Sequence, residues 1–79
     1  MTARTDRRHR IQQYPIPLVR RAISDTVYGA ENQRIVTDLY IGNQTHEQVA
    51  ETAHLSTRGL YKRLDNIMPS MEDYLKRIN

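Results

Sequence analysis

The stretch that most constrains the fold is THEQVAETAHLSTRGLYKRLDNI, which spans residues 45–67. Thr45 is a favourable helix N-cap, and Gln48 three residues later completes a capping box. Apolar residues then follow on one narrow side of a short segment, at Val49, Ala50 and Ala53. A stripe of this width and spacing predicts a short amphipathic helix that begins directly after Thr45.

A second helix, over about residues 56–67, is predicted immediately after the first. His54 and Leu55 form the predicted turn, and Ser56 is the next N-cap. The apolar residues of this helix recur at i, i+4 and i+7 and predict one buried face: Leu60, Leu64 and Ile67. Its other face is polar and cationic. A helix-turn-helix requires this order, because the first helix braces the second and the second enters the major groove of DNA.

The segment VAETAHLSTRGLYKRL resembles the helix-turn-helix of bacterial and phage transcription regulators. With NQRIVTDLYIGNQ before it, the sequence is similar to the region-four-like fold of sigma factors and to phage late-gene regulators of the ArpU type. Ala50 matches the family's small residue where the two helices come closest, and Leu55 and Leu60 match its buried positions. His54 stands where the family usually has glycine, so the left-handed backbone expected there carries some cost. Arg63 stands at a position that is usually buried.

The basic charge is concentrated at the N-terminus. Residues 1–13 hold four arginines and one aspartate, which account for the whole net charge of +3. The segment shows no helical periodicity, which predicts a flexible basic arm over residues 1–13 ahead of a helix-turn-helix domain over residues 14–79. We expect the arm to contact DNA phosphates through Arg4, Arg7, Arg8 and Arg10, with a solvated tail as the alternative. Removal of a flexible arm should scarcely change thermal stability.

The rest of the chain predicts further helices. Apolar residues at helical spacing indicate helices over residues 17–28 and 30–41, each followed or ended by a glycine. Pro69 is expected to break the chain before a last helix over residues 71–78, whose apolar face is either core or a dimer contact. No stretch alternates with period two. The predicted fold is therefore all-α, a small bundle of about five short helices containing a helix-turn-helix.

Composition argues against several classes of function. The chain has no cysteine, which excludes disulfides and thiolate metal sites and fits a reducing, cytoplasmic environment. No apolar run approaches the roughly 20 residues of a membrane span. His46 and His54 are separated by the predicted turn, so we expect no metal site. The sequence offers no Gly-rich phosphate loop and no catalytic constellation, so we expect neither a cofactor nor an enzyme.

These features predict a sequence-specific regulator of transcription that binds double-stranded DNA, with a homodimer left open. Small size and the resemblance imply an origin in a phage or mobile element. The expected base contacts are Ser56, Thr57, Arg58, Tyr61 and Lys62. The expected phosphate contacts outside the arm are Gln44, Thr45, Gln48 and Arg63.

Two other interpretations stay open at this stage. The cationic residues of the second helix can be an ordinary solvated face. The same two helices can also form a protein-interaction module that binds RNA polymerase, a recombinase or a host factor. Two carboxylates on the first helix, Glu47 and Glu51, favour this second alternative.

Overall fold

The computed structural model describes residues 3–78, with side chains from residue 6 onward. Within that range the chain forms five α-helices and no strand. They are α1 (Ala3–Gln12), α2 (Ile16–Thr26), α3 (Ala30–Tyr40), α4 (His46–Thr52) and α5 (Thr57–Ile78). The predicted all-α bundle is therefore confirmed. Of the helices in this part of the chain, not one has the length and apolar character needed to cross a membrane.

A single apolar core receives side chains from every helix. It is aliphatic apart from Tyr40, as a sequence without Trp or Phe requires. Its largest fully buried side chains are Ile11, Val27, Val36, Leu39, Val49, Leu60, Leu64, Met68, Met71 and Leu75. Five of these lie on α5, which therefore forms one wall of the core along most of its length.

The N-terminal segment differs from the flexible arm predicted for residues 1–13, because residues 3–12 form helix α1. A helix of this length is marginal in isolation, so tertiary packing has to stabilise it. Ile11 supplies that packing, with only 1% of its surface exposed. One apolar anchor gives almost no periodic signal in the sequence. Since removal of α1 would open the core at Ile11, we now expect it to lower thermal stability.

The C-terminal part also differs from expectation, because α5 runs through Pro69 without a break. Pro69 removes one backbone donor and crowds the preceding turn, at a cost of about 3 kcal/mol or more in a helix interior. It lies on the exposed side of α5, while Met68 and Met71 on either side of it are fully buried. Burial of these neighbours in one core offsets the cost of the proline. The two helices predicted over residues 56–67 and 71–78 are therefore one.

The connection from α3 to α4 depends on a glycine. A Cβ atom on Gly42 would lie 2.9 Å from the carbonyl oxygen of Asp38, so a larger residue would force the chain to shift. Asn43 follows with a φ of 57°, a left-handed conformation that asparagine tolerates better than most residues. This tight turn ends α3 and delivers the chain to the start of α4.

Candidate nucleic-acid interface

Helix α4 begins with the capping box predicted from the sequence. The Thr45 hydroxyl accepts a hydrogen bond from the Gln48 backbone N–H at 3.1 Å, and the Gln48 side chain accepts one from the Thr45 N–H at 3.0 Å. Val49 and Ala50 are buried on the inner side of the helix. The cap uses acceptor oxygens of both side chains, so the Thr45 O–H and the Gln48 amide NH₂ can still donate to a phosphate.

The turn after α4 is closed by two backbone hydrogen bonds. The N–H of Leu55 donates to the carbonyl of Ala50 at 2.8 Å, and the N–H of His54 donates to the carbonyl of Glu51 at 3.2 Å. This pair is the Schellman pattern, which requires a left-handed residue at the position of His54. His54 has a φ of 59°, as its place in the sequence predicts. Leu55 then packs half-buried against the core.

Helix α5 begins at Thr57, directly after the predicted cap. The hydroxyl of Ser56 accepts a hydrogen bond from the N–H of Gly59 at 3.0 Å. Leu60 and Leu64 are buried, as predicted, and Ile67 packs partly buried against the core. The local structure of the α4–turn–α5 segment therefore agrees with the sequence pattern in both caps, the turn and the buried side.

The outer side of the first turns of α5 carries free positive charge. Thr57, Arg58 and Lys62 are exposed. Among the side chains that the structure describes, none forms an ion pair or hydrogen bond with Arg58 or Lys62. The two cations lie one helical turn apart on the same side of α5. This leaves their charges available to an anionic partner.

Tyr61 is used differently from the rest of that surface. Its ring packs against the ring of His46, with centroids 5.2 Å apart and the planes tilted by 60°. The contact joins the first turn of α4 to the second turn of α5. Tyr61 is half-buried and helps to set the angle between the two helices, and its predicted base contact stays a prediction.

Arg63, a predicted phosphate contact, pairs with side chains of α3. Its guanidinium pairs with the carboxylate of Glu31 and lies 3.4 Å from the side-chain oxygen of Asn32. Glu31 belongs to the first turn of α3, where a carboxylate interacts favourably with the helix dipole. Arg63 therefore connects α5 to the start of α3, and only 34% of its side chain is exposed.

Arg8 of α1 forms hydrogen bonds with the end of α3 and with the segment that connects α3 to α4. Its two terminal nitrogens donate to the carbonyls of Leu39 and Gln44, each at 3.0 Å. The guanidinium also lies 5.8 Å from the centre of the Tyr40 ring, within the range of a cation–π contact. Arg8 thus satisfies a carbonyl in the last turn of α3 and holds the residue that precedes the cap of α4. Arg8 therefore has a structural role, and its predicted phosphate contact stays a prediction.

The other arginines of α1 pair with carboxylates on α5. Glu72 lies 3.7 Å from Nε of Arg7 and 3.0 Å from Nη2 of Arg10, and Asp65 lies 3.6 Å from Nη1 of Arg7. The Arg7 side chain is only 18% exposed, against 51% for Arg10. Arg4 lies outside the described side chains. Arg7 and Arg10 are therefore paired with carboxylates within the fold, and the phosphate contacts at Arg4, Arg7 and Arg10 stay predictions.

This arginine cluster also affects Tyr40. Burial raises the pKa of the Tyr40 hydroxyl above its usual 10.0, while the positive charges of Arg7 and Arg8 oppose the rise. Tyr40 therefore stays neutral across the physiological range.

The opposite side of the α4 region is acidic. Glu47 and Glu51 are exposed on α4. Beside them a groove of about 310 Å³ runs between α3 and the α4 turn, and it is lined by Ala30, Glu31, Arg34, Ile35, Asp38, Val49, Thr52, Ala53 and His54. In residues 3–78 no group of three or more His, Asp or Glu side chains is arranged to hold a metal ion.

One exposed residue on the cationic side of α5, Asn66, is not among the contacts predicted from the sequence. Asn66 is exposed and follows Lys62 by one turn on the outer side of α5. In the sequence, Asn66 lies next to the helix end predicted before Pro69. Its position in the middle of a long helix was therefore not predicted. The spacing of four residues from Lys62 is the sequence feature that indicates a position on the same side of the helix.

No protein-family model matches the chain, and neither does any curated protein or solved structure.

Proposed function

We propose that the chain is a sequence-specific DNA-binding regulator of transcription, in which α4 and α5 act as a helix-turn-helix. The observation that carries the proposal is the free cationic face at the start of α5, formed by Arg58 and Lys62 directly after a tight, capped turn. A phage or mobile-element origin remains part of the proposal and rests on the resemblance of the sequence.

The mechanism is non-covalent. Thr57 and Arg58 lie in the first turn of α5, the end that reaches the base edges in this class of motif. Arg58 can pair with O6 and N7 of guanine through two parallel hydrogen bonds, which a lysine cannot reproduce. Lys62 lies one turn further and can contact a base or a phosphate. The contact between Tyr61 and His46 holds the two helices in register behind this surface.

The test compares two arginines on the same helix. Arg58→Ala should weaken binding to the preferred site by about 1–3 kcal/mol and relax the preference at one base pair. Arg77→Ala removes the same charge about 28 Å further along α5 and should leave the preference unchanged. Both affinities are measured by mobility shift on a site selected from random duplex DNA. Equal losses in the two variants would mean that Arg58 contributes only general charge.

A second candidate function is supported by a different observation. Three arginines of α1 are engaged within the fold, and the exposed side of α4 carries two carboxylates, so the positive charge of α1 is less accessible than the sequence suggests. Such a domain can act as an interaction module for RNA polymerase, a recombinase or a host factor. Salt separates the two functions, because each phosphate contact adds about 0.9 to the logarithmic salt slope. Docking of a helix in an apolar groove depends little on salt.

A further inference from the structure

The outer side of α5 carries a polar stripe that is longer than the first turn. Arg58, Lys62 and Asn66 follow one another at intervals of four residues, and all three are exposed. The buried side of the helix is formed by Leu60, Leu64, Met68, Met71 and Leu75. At 100° per residue, the three polar residues fall within an arc of about 80° that faces away from this core.

The length of the stripe matches several base pairs. Eight residues separate Arg58 from Asn66, which corresponds to about 12 Å along the helix axis. Base pairs in B-DNA rise by about 3.4 Å, so the two residues are spaced like base pairs that lie three to four steps apart. The major groove is about 12 Å wide and admits an α-helix. A helix lying along the groove can therefore place both side chains at base edges.

The continuity of α5 gives Asn66 a fixed position. Because the helix runs through Pro69 to Ile78, Asn66 lies well inside it and not in a fraying last turn. Its neighbour Asp65 is directed to Arg7 by an ion pair at 3.6 Å, which lowers its repulsion of an approaching phosphate backbone. Among the side chains that the structure describes, residues 6–78, none forms a hydrogen bond with the side-chain amide of Asn66.

We propose that Asn66 is a second base-reading residue that selects adenine, three to four base pairs from the guanine selected by Arg58. The asparagine amide carries one donor and one acceptor, which match N7 and N6 of adenine in the major groove. Lys62 lies between the two and contributes affinity with less discrimination. This inference rests on the proposed function, since it concerns the DNA sequence that the same surface recognises.

The experiment is selection from a random duplex DNA library with four proteins: wild type, Arg58→Ala, Asn66→Ala and Ser70→Ala. Ser70 is an exposed polar residue one turn beyond Asn66 and serves as the matched control. The wild type and Ser70→Ala should enrich the same motif, with guanine and adenine three to four base pairs apart. Asn66→Ala should lose about 5- to 100-fold of the preference for adenine and keep the preference for guanine. Arg58→Ala should do the reverse.

Two results would overturn the role of Asn66 while leaving the proposed function intact. If Asn66→Ala weakens all sequences alike, the residue contacts a phosphate. If it leaves the wild-type motif unchanged, α5 enters the groove end-on and only its first turn reaches the bases. A wild-type protein that enriches no motif would instead refute the proposed function, and the inference about Asn66 with it. Circular dichroism of Asn66→Ala, expected to match the wild type, separates a loss of reading from a loss of fold.

Discussion

Replacement of Arg8 by alanine tests whether the N-terminal segment belongs to the fold or to the DNA interface. The guanidinium of Arg8 donates to the carbonyls of Leu39 and Gln44, each at 3.0 Å, and lies beside the ring of Tyr40. Truncation removes both donors and leaves the two carbonyls without this partner. The connection that positions α4 would be loosened as a result. We therefore expect Arg8→Ala to destabilise the whole domain.

The structure sets the size of this effect. A hydrogen bond from a charged donor contributes about 1.5–3 kcal/mol, but water replaces part of the interaction at a partly exposed site. For the two bonds together we expect a loss of about 2–3 kcal/mol in the free energy of unfolding. In a domain of this size such a loss lowers the midpoint of thermal unfolding by roughly 10–20 °C.

The assay is thermal and urea unfolding followed by circular dichroism. Arg10→Ala is the matched control, since Arg10 is half exposed and forms a single ion pair with Glu72. That exposed pair should contribute less than about 1 kcal/mol. Arg8→Lys should fall between the wild type and Arg8→Ala, because one ammonium group lacks the fork that reaches both carbonyls. A variant Arg8→Ala that unfolds with the wild-type midpoint, yet loses DNA affinity, would refute the structural role and restore the phosphate contact.

Three further predictions concern the core, the turn and the pH dependence of stability. Ala50 is buried on α4, so Ala50→Leu should cost about 1–3 kcal/mol by overpacking, and an unchanged thermal midpoint would show spare room there. His54 has a φ of 59°, a left-handed conformation that strains a residue with a Cβ atom. His54→Gly should therefore raise the free energy of unfolding in urea titrations by about 0.5–1 kcal/mol. A lower midpoint for this variant would contradict the strain. The raised pKa of Tyr40 means that the unfolded chain loses the hydroxyl proton first as the pH increases. Stability should therefore be retained below pH 10 and decline above it. Tyr40→Phe should flatten this decline in a series of thermal melts, and an identical slope would assign it to other groups.

The α4–turn–α5 segment could be predicted from the sequence because its determinants are local. Thr45 and Gln48 of the capping box are three positions apart, and the hydrogen bonds that close the left-handed turn at His54 join residues at most five positions apart. The Ser56 cap likewise acts on the next turn. Propensity, capping and periodicity all operate over this range, so they are readable in the order of the residues. The exposed cations Arg58 and Lys62 were placed correctly for the same reason.

The fate of the N-terminal arginines was decided only by the tertiary structure. Arg10 and Glu72 are 62 residues apart, and Arg8 and Gln44 are 36 apart. Nothing in the local sequence distinguishes an arginine that will meet an internal carboxylate or carbonyl from one that will meet a phosphate. The net charge of +3 therefore follows from the sequence. Whether the N-terminal arginines are accessible to a phosphate does not.

The course of α5 through Pro69 has the same kind of cause. Proline lacks a backbone N–H donor and crowds the preceding helical turn, and these local effects predict that a helix ends there. A local prediction leaves out the burial of Met68 and Met71 on either side of the proline, because that burial depends on where the other helices lie. The sequence thus determined that α2, α3, α4 and α5 are helical and how α4 and α5 are capped. The fold decided that α1 joins the core and that α5 continues as one helix, because core burial and long-range ion pairs exist only once the chain has closed on itself.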